Sequence, residues 1–199
     1  GNKEFWQRTA KSYEPLMKHS RKLYYAICER MRPGLTRNMY VLELACGSGQ
    51  LSFRLAERVC LWEATDFSEN MIAEARKRSR SSRLHFSVQD AAALPYAPDS
   101  FDAVVISNAL HIMPRPELAL AEIRRVLKPG GILYAPTFVH GRGAGFRLRA
   151  RLLTLVGFKV YSKWTLGGFE RFISEHNFQV RQTAPLGGSL APLCYLEAS

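Results

Sequence analysis

Residues 40–50 read Tyr40-Val41-Leu42-Glu43-Leu44-Ala45-Cys46-Gly47-Ser48-Gly49-Gln50, and the reading of this stretch decides the fold. Val41, Leu42 and Leu44 form a short apolar run, as expected of a strand buried on both faces of a parallel sheet. Ala45 to Gly49 is a turn of small residues, after which Leu51, Leu55, Ala56 and Val59 recur at helical spacing. Strand, tight turn and helix together let backbone approach a ligand closely at a helix N-terminus. A dinucleotide site requires G-x-G-x-x-G. Read from Gly47, the third place is Ser52; read from Ala45, the first place is not glycine, so the pattern fails in both frames. Glu43, near the strand's end, suits a ligand with a cationic group better than a pyrophosphate.

Two more acids stand at predicted strand ends. Leu61 to Asp66 reads as a second strand, and Asp66 lies 19 residues after Gly47. At that spacing an acid at the next strand's end meets a ribose, because a carboxylate offers two acceptors to two vicinal hydroxyls. Taken alone, Asp66 reads equally as a carboxylate at a helix terminus. Ser68 is expected to cap a helix through Met71, Ile72 and Ala75. Leu84 to Val88 reads as a third strand, ending in Gln89-Asp90-Ala91, and Ala103 to Ser107 as a fourth, followed by Asn108-Ala109-Leu110-His111. Open parallel sheets bind ligands at the C-terminal ends of their strands, which puts Asn108 and His111 beside a ligand bound there. His111 reads either as a catalytic or substrate-contacting residue or as a structural histidine bonded to its loop.

The run Glu43-Leu44-Ala45-Cys46-Gly47-Ser48-Gly49 resembles the first motif of the class I S-adenosylmethionine-dependent methyltransferases, [D/E]-x-G-x-G-x-G, matching at Glu43, Gly47 and Gly49 and departing at Ala45. Asp66-Phe67-Ser68-Glu69-Asn70-Met71 resembles the family's second motif. Leu94-Pro95-Tyr96, Ser100-Phe101-Asp102 and Leu127-Lys128-Pro129-Gly130-Gly131 resemble its later segments. The resemblance covers residues 40–135 and is closest to the group that includes the ubiquinone/menaquinone methyltransferases and other small-molecule enzymes. It implies an α/β, Rossmann-like, seven-stranded and mostly parallel sheet. Helices would cover both faces, with one antiparallel edge pair, an N-terminal helical segment and a lid helix. It also implies S-adenosylmethionine as cofactor, with S-adenosylhomocysteine as product. Glu43, Ala45, Cys46, Gly47 and Gly49 would hold the methionine part and Asp66 the ribose. Phe67, Met71, Asp90 and Ala91 would meet the adenine, and Asn108 would stand near the reactive end. The expected acceptor is a small molecule that is anionic, lipid-like or quinone-like.

Later elements complete the expectation: a helix over Pro116 to Leu127, a turn at Lys128-Pro129-Gly130-Gly131, and a fifth strand over Ile132 to Val139. A helix over Thr165 to His176 and strands over Phe178 to Thr183 and Leu193 to Glu197 follow. The 199 residues suggest one domain, with residues 1–39 as a helical cover, 40–139 as the cofactor core, 140–164 as a lid and 165–199 as the closing elements. In residues 1–39, Leu23, Tyr24, Ile27 and Met31 form an apolar stripe, while Phe5, Trp6 and Tyr13 need something to cover. Tyr13 is a candidate for the substrate pocket or for core packing; it and His111 are the two candidate bases.

The net charge of +11 is unevenly placed: +6 on residues 1–39, zero on 40–139 and +5 on 140–199. Such ends serve solubility alone or meet an anionic substrate or surface. The basic amphipathic run from Phe146 to Phe158 reads as a lid helix behind a hinge of Gly141, Gly143 and Gly145, or as contact with an anionic membrane. A stable nucleic-acid partner is not expected, since no N-P-P-[F/Y] motif for a flipped base occurs; an RNA methyltransferase and a non-catalytic cofactor binder are the alternatives. No run of 18 apolar residues and no signal pattern is found. Cys28, Cys46, Cys60 and Cys194 lack C-x-x-C spacing and read as reduced thiols of a cytoplasmic protein with no metal site.

Overall fold

A computed structural model of the chain describes residues 21–139, 159–188 and 192–199. One sheet runs through all of them. Its strands are β1 (Tyr40–Leu44), β2 (Leu61–Asp66), β3 (Leu84–Val88), β4 (Phe101–Ile106), β5 (Leu127–Tyr134), β6 (Thr137–Phe138), β7 (Val180–Leu186) and β8 (Leu193–Ala198). The spatial order is β3-β2-β1-β4-β5-β8-β6, with β7 on the other side of β8. The pairs β1–β2, β2–β3, β1–β4 and β4–β5 are parallel, and all pairs of β8 are antiparallel. The chain therefore winds outward from β1 to β3 and then crosses back to β4, which leaves a switch point between β1 and β4 where such sheets bind ligands.

Strand residues alternate between two cores. Val41, Ala103, Val105 and Tyr195 face α1 (Arg21–Met31), α2 (Ser52–Leu55) and α3 (Glu69–Arg78). Leu42, Leu44, Val104, Ile106 and Leu196 face α4 (Pro116–Val126) and α5 (Leu166–Glu175). Helix starts follow side-chain chemistry: the Ser68 hydroxyl accepts from Met71 N–H, Thr165 accepts from Gly168 N–H, and Pro116 fixes the first turn of α4. Arg125 clamps the loop before β4, its guanidinium donating to the carbonyls of Leu94 and Tyr96 and to the Glu122 carboxylate.

Three details differ from the sequence-based expectation. The apolar spacing of Leu51 to Val59 produces one turn of α-helix followed by a 3-10 turn at Ala56–Arg58, so little macrodipole stands behind the glycine turn. The Lys128-Pro129-Gly130-Gly131 turn lies inside β5 as an irregularity, with Phe101 opposite Leu127 and Ala103 opposite Ile132. The expected fifth strand is cut at Ala135-Pro136, since proline has no N–H for the ladder; β5 and β6 are its two pieces and both pair with β8, which makes eight strands of seven. Among the described residues, no helix is long and apolar enough to cross a membrane.

Candidate cofactor and acceptor site

The site lies along the C-terminal edge of β3, β2, β1 and β4, in that order. The turn after β1 is built from left-handed backbone: Ala45, Gly47 and Gly49 have φ of 53°, 56° and 88°. Glycine adopts these angles freely and alanine at a cost of roughly 1–2 kcal/mol. Ala45 therefore takes the conformation that the motif's usual glycine would take. At Gly49 space as well as conformation demands glycine, because a Cβ there would stand 2.6 Å from a Phe53 ring carbon. The turn is tied to β2: Cys46 N–H donates to the Thr65 carbonyl at 2.9 Å, and Gly47 N–H to Asp66 Oδ2 at 2.9 Å.

Asp66 is buried, with its other oxygen accepting from Ser68 N–H at 2.9 Å. A carboxylate has about four acceptor sites, so acceptor capacity remains for a ribose hydroxyl. Burial raises the Asp66 carboxyl above its usual range, and the backbone N–H groups of Ser68, Gly47 and Phe67 oppose that. Gln89 N–H donates to the Asp66 carbonyl at 3.0 Å and sets the β3 end beside the β2 end. Asp90 itself is exposed, and its Oδ1 accepts from Ala92 N–H; Ala91 is half-buried next to it. Phe67 is half-buried and Met71 fully buried in the same neighbourhood.

Glu43 points away from this row. Its side chain enters the core beneath α1–α3, where Oε2 accepts from Ser52 Oγ and from Trp62 Nε1, the latter at 2.8 Å. Burial pushes its carboxyl up to about 7, while the two donors pull the other way. Glu43 thus holds the first residue of α2 from behind the turn. Cys46 is buried on that side too, and burial raises its thiol. Trp62 and Ser52 carry no motif signal; a buried carboxylate on a strand required such donors, but the sequence alone did not say which residues would supply them.

Beyond β4 stands a group of polar atoms without partners. Ser107 Oγ, both amide atoms of Asn108 and Nδ1 of His111 are buried and lack any hydrogen bond among the described residues. Asn108 sits in the left-handed region, φ 54°, which asparagine tolerates, and its N–H donates to the Pro136 carbonyl at 2.8 Å. His111 lies in a 3-10 turn, edge-on to Phe138 at 6.2 Å, and its carbonyl accepts from the N–H groups of Tyr161 and Ser162. Burial lowers His111 to about 4, so the ring is neutral at neutral pH. Buried polar groups are rarely left unpaired, and four such atoms together mark a place where a ligand completes the bonding. Ser107 was not singled out by sequence; no pattern distinguishes it from any serine at a strand end. Tyr13 and the 140–158 segment lie outside the described residues.

The left-handed turn, the Asp66 carboxylate with spare acceptor sites and the orphaned amide of Asn108 together fit S-adenosylmethionine. Comparison with known proteins agrees. Residues 41–131 match a family described as methyltransferase domain. The ubiquinone/menaquinone biosynthesis C-methyltransferase UbiE of Paracoccus denitrificans is 41% identical over 105 residues, covering 50% of this chain and 42% of that one. A demethylmenaquinone methyltransferase of Renibacterium salmoninarum is 40% identical over 114 residues, covering 57% and 47%. The match thus spans less than half the length of these curated relatives. In fold, an S-adenosylmethionine-dependent methyltransferase from Thermotoga maritima superposes with TM-score 0.75 at 20% identity, covering 98% of each chain. The magnesium protoporphyrin IX methyltransferase of Synechocystis, solved with S-adenosylhomocysteine, superposes with TM-score 0.70 at 18% identity, covering 90% and 82%. Residues 41–131 thus carry the match to a methyltransferase domain, and the fold is the one shared with solved S-adenosylmethionine-dependent methyltransferases.

Proposed function

We propose that the protein transfers a methyl group from S-adenosylmethionine to a small, quinol-like ring acceptor in the cytoplasm. The observation that carries this reading is the unpaired set of Ser107, Asn108 and His111 at the β4 end, adjacent to the glycine turn. The names of the relatives, a ubiquinone/menaquinone biosynthesis C-methyltransferase and a demethylmenaquinone methyltransferase, support the acceptor class.

The bound cofactor would supply a methyl group already made electrophilic by its sulfonium. What remains for the chain is to orient and to manage a proton. The glycine turn and Asp66 would fix the cofactor, with Phe67, Met71, Asp90 and Ala91 around the base. Positioning of this kind supplies roughly 7–11 kcal/mol of a bimolecular barrier. A ring carbon becomes nucleophilic when its neighbouring hydroxyl loses a proton. A neutral His111, with an unprotonated nitrogen and a value of about 4, is available at neutral pH to accept a hydrogen bond from that hydroxyl. Asn108 and Ser107 would bond the acceptor's oxygens. The basic ends would add peripheral contact with an anionic membrane, where lipid-borne quinols reside.

The test is incubation with S-adenosylmethionine and a demethylated naphthoquinone, in reduced and oxidised forms, with products read by mass spectrometry. Methylation of the quinol, lost in His111→Ala with S-adenosylhomocysteine affinity kept, is expected. Cofactor binding without methylation of any quinol would overturn the acceptor assignment.

A further inference from the structure

The helix layers on the two faces of the sheet differ in charge. On one face, helices α1, α2 and α3 hold seven Lys/Arg against three Glu. On the opposite face, helices α4 and α5 hold three Arg against four Glu. Two open clefts lie on the basic face. One, of about 380 Å³, is lined by Arg21, Lys22, Tyr25 and Arg54, with no carboxylate among the described residues. The other, of about 270 Å³, includes Arg78, Arg80 and a single acid, Glu57. Tyr25 is 57% exposed among its cations, an amphipathic ring placed where interfacial aromatics sit. The cleft adjoins the cofactor turn, because the Arg54 guanidinium donates to the carbonyl of Gln50.

We propose that the α1–α3 face docks the protein on an anionic lipid bilayer through Arg21, Lys22, Tyr25, Arg54, Arg58, Lys77 and their neighbours. The cations come from three separate helices and cover a broad face rather than tracking a groove. Single-stranded RNA is usually held by exposed aromatics that stack successive bases, and Tyr25 is the one strongly exposed aromatic among the described residues of this face. Such a surface suits a bilayer, where each Lys or Arg near the headgroups adds attraction within a Debye length. Delivery of a lipid-borne acceptor across this surface rests on the transferase reading; the docking itself does not.

The experiment is co-sedimentation of the full chain with phosphatidylcholine vesicles, with and without phosphatidylglycerol. A variant with Arg21→Gln, Lys22→Gln, Arg58→Gln and Lys77→Gln removes four exposed cations from the face. A control with Arg115→Gln, Lys163→Gln, Arg171→Gln and Arg181→Gln removes as many exposed cations from elsewhere. Circular dichroism checks that both variants fold. The expected result is binding to phosphatidylglycerol vesicles that weakens about a hundredfold in the first variant and far less in the control. Equal loss in both variants, no vesicle binding by the wild type, or binding of single-stranded RNA in place of vesicles would overturn the proposal. A thermal shift with S-adenosylhomocysteine, measured on all three proteins, reports the transferase reading separately.

Discussion

Replacing Glu43 by Gln changes how stability depends on pH, and the size of the change follows from the position of the carboxyl. In the native protein burial raises it from 4.5 to about 7, with Ser52 and Trp62 donating to one oxygen. Below pH 4.5 the group is protonated in both native and unfolded chains and does not affect their balance. Between 4.5 and about 7 the native state keeps a proton that the unfolded chain has lost, so stability falls as pH rises. Above about 7 the loss is complete, and at ~1.4 kcal/mol per pH decade it amounts to about 3 kcal/mol. Glutamine has no proton to lose, and its carbonyl oxygen still accepts from Ser52 and Trp62. Urea unfolding of both proteins at a series of pH values gives the free-energy difference directly. The variant should gain on the wild type by about 3 kcal/mol as pH rises from roughly 4.5 to 8. A difference that stays flat across this range would refute the reasoning, because the carboxyl would then titrate alike in the two states.

His111 carries the opposite slope. Burial lowers it from 6.5 to about 4, so its contribution is fully present above 6.5 and falls by about 3 kcal/mol as pH drops through that window; His111→Gln should lose this dependence in the same titration. The two slopes overlap and largely cancel in the wild type, so each single variant should be more pH-dependent between about 4.5 and 6.5 than the parent. Ala45→Gly should raise the unfolding free energy by about 0.5–1 kcal/mol, the relief of left-handed strain at φ 53° minus glycine's extra chain entropy; a loss in thermal or urea unfolding would contradict this. Gly49→Ala should destabilise by about 2–4 kcal/mol and weaken S-adenosylhomocysteine binding, since the new Cβ meets Phe53 at 2.6 Å and φ is 88°.

The parts of this fold that were legible in the sequence are those where one local rule acts alone. Strand ends could be placed because apolar runs stop at acids: Asp66 ends β2, and Asp90 follows β3 by two residues. The parallel order then brought these ends together beside the glycine turn. Positions decided by long-range contact were not legible. The apolar spacing after Gln50 promised a full helix, yet α2 is one turn long. Pro136 looked like part of a continuous strand, yet it divides β5 from β6. Glu43 was read as facing a ligand from its place beside the turn. Strand alternation instead sends it to the same side as Val41, where Trp62 from β2 and Ser52 from α2 meet it. The polarised charge was hidden because the sum over residues 40–139 sets the cations of α2, α3 and their flanks against acids on strands and loops, while α4 itself is neutral.

The C-terminal edge of β1–β4 is where S-adenosylmethionine would bind, and calorimetric titration with S-adenosylhomocysteine measures that binding. The wild type should bind it and ignore NAD. At about 100 times the dissociation constant the ligand should stabilise the protein by about 2.7 kcal/mol. Asp66→Asn should weaken binding about tenfold or more, because the carboxylate that would receive the ribose hydroxyls loses its charge and an acceptor. Absence of binding in the wild type, or binding of NAD in its place, would contradict the assignment of this edge.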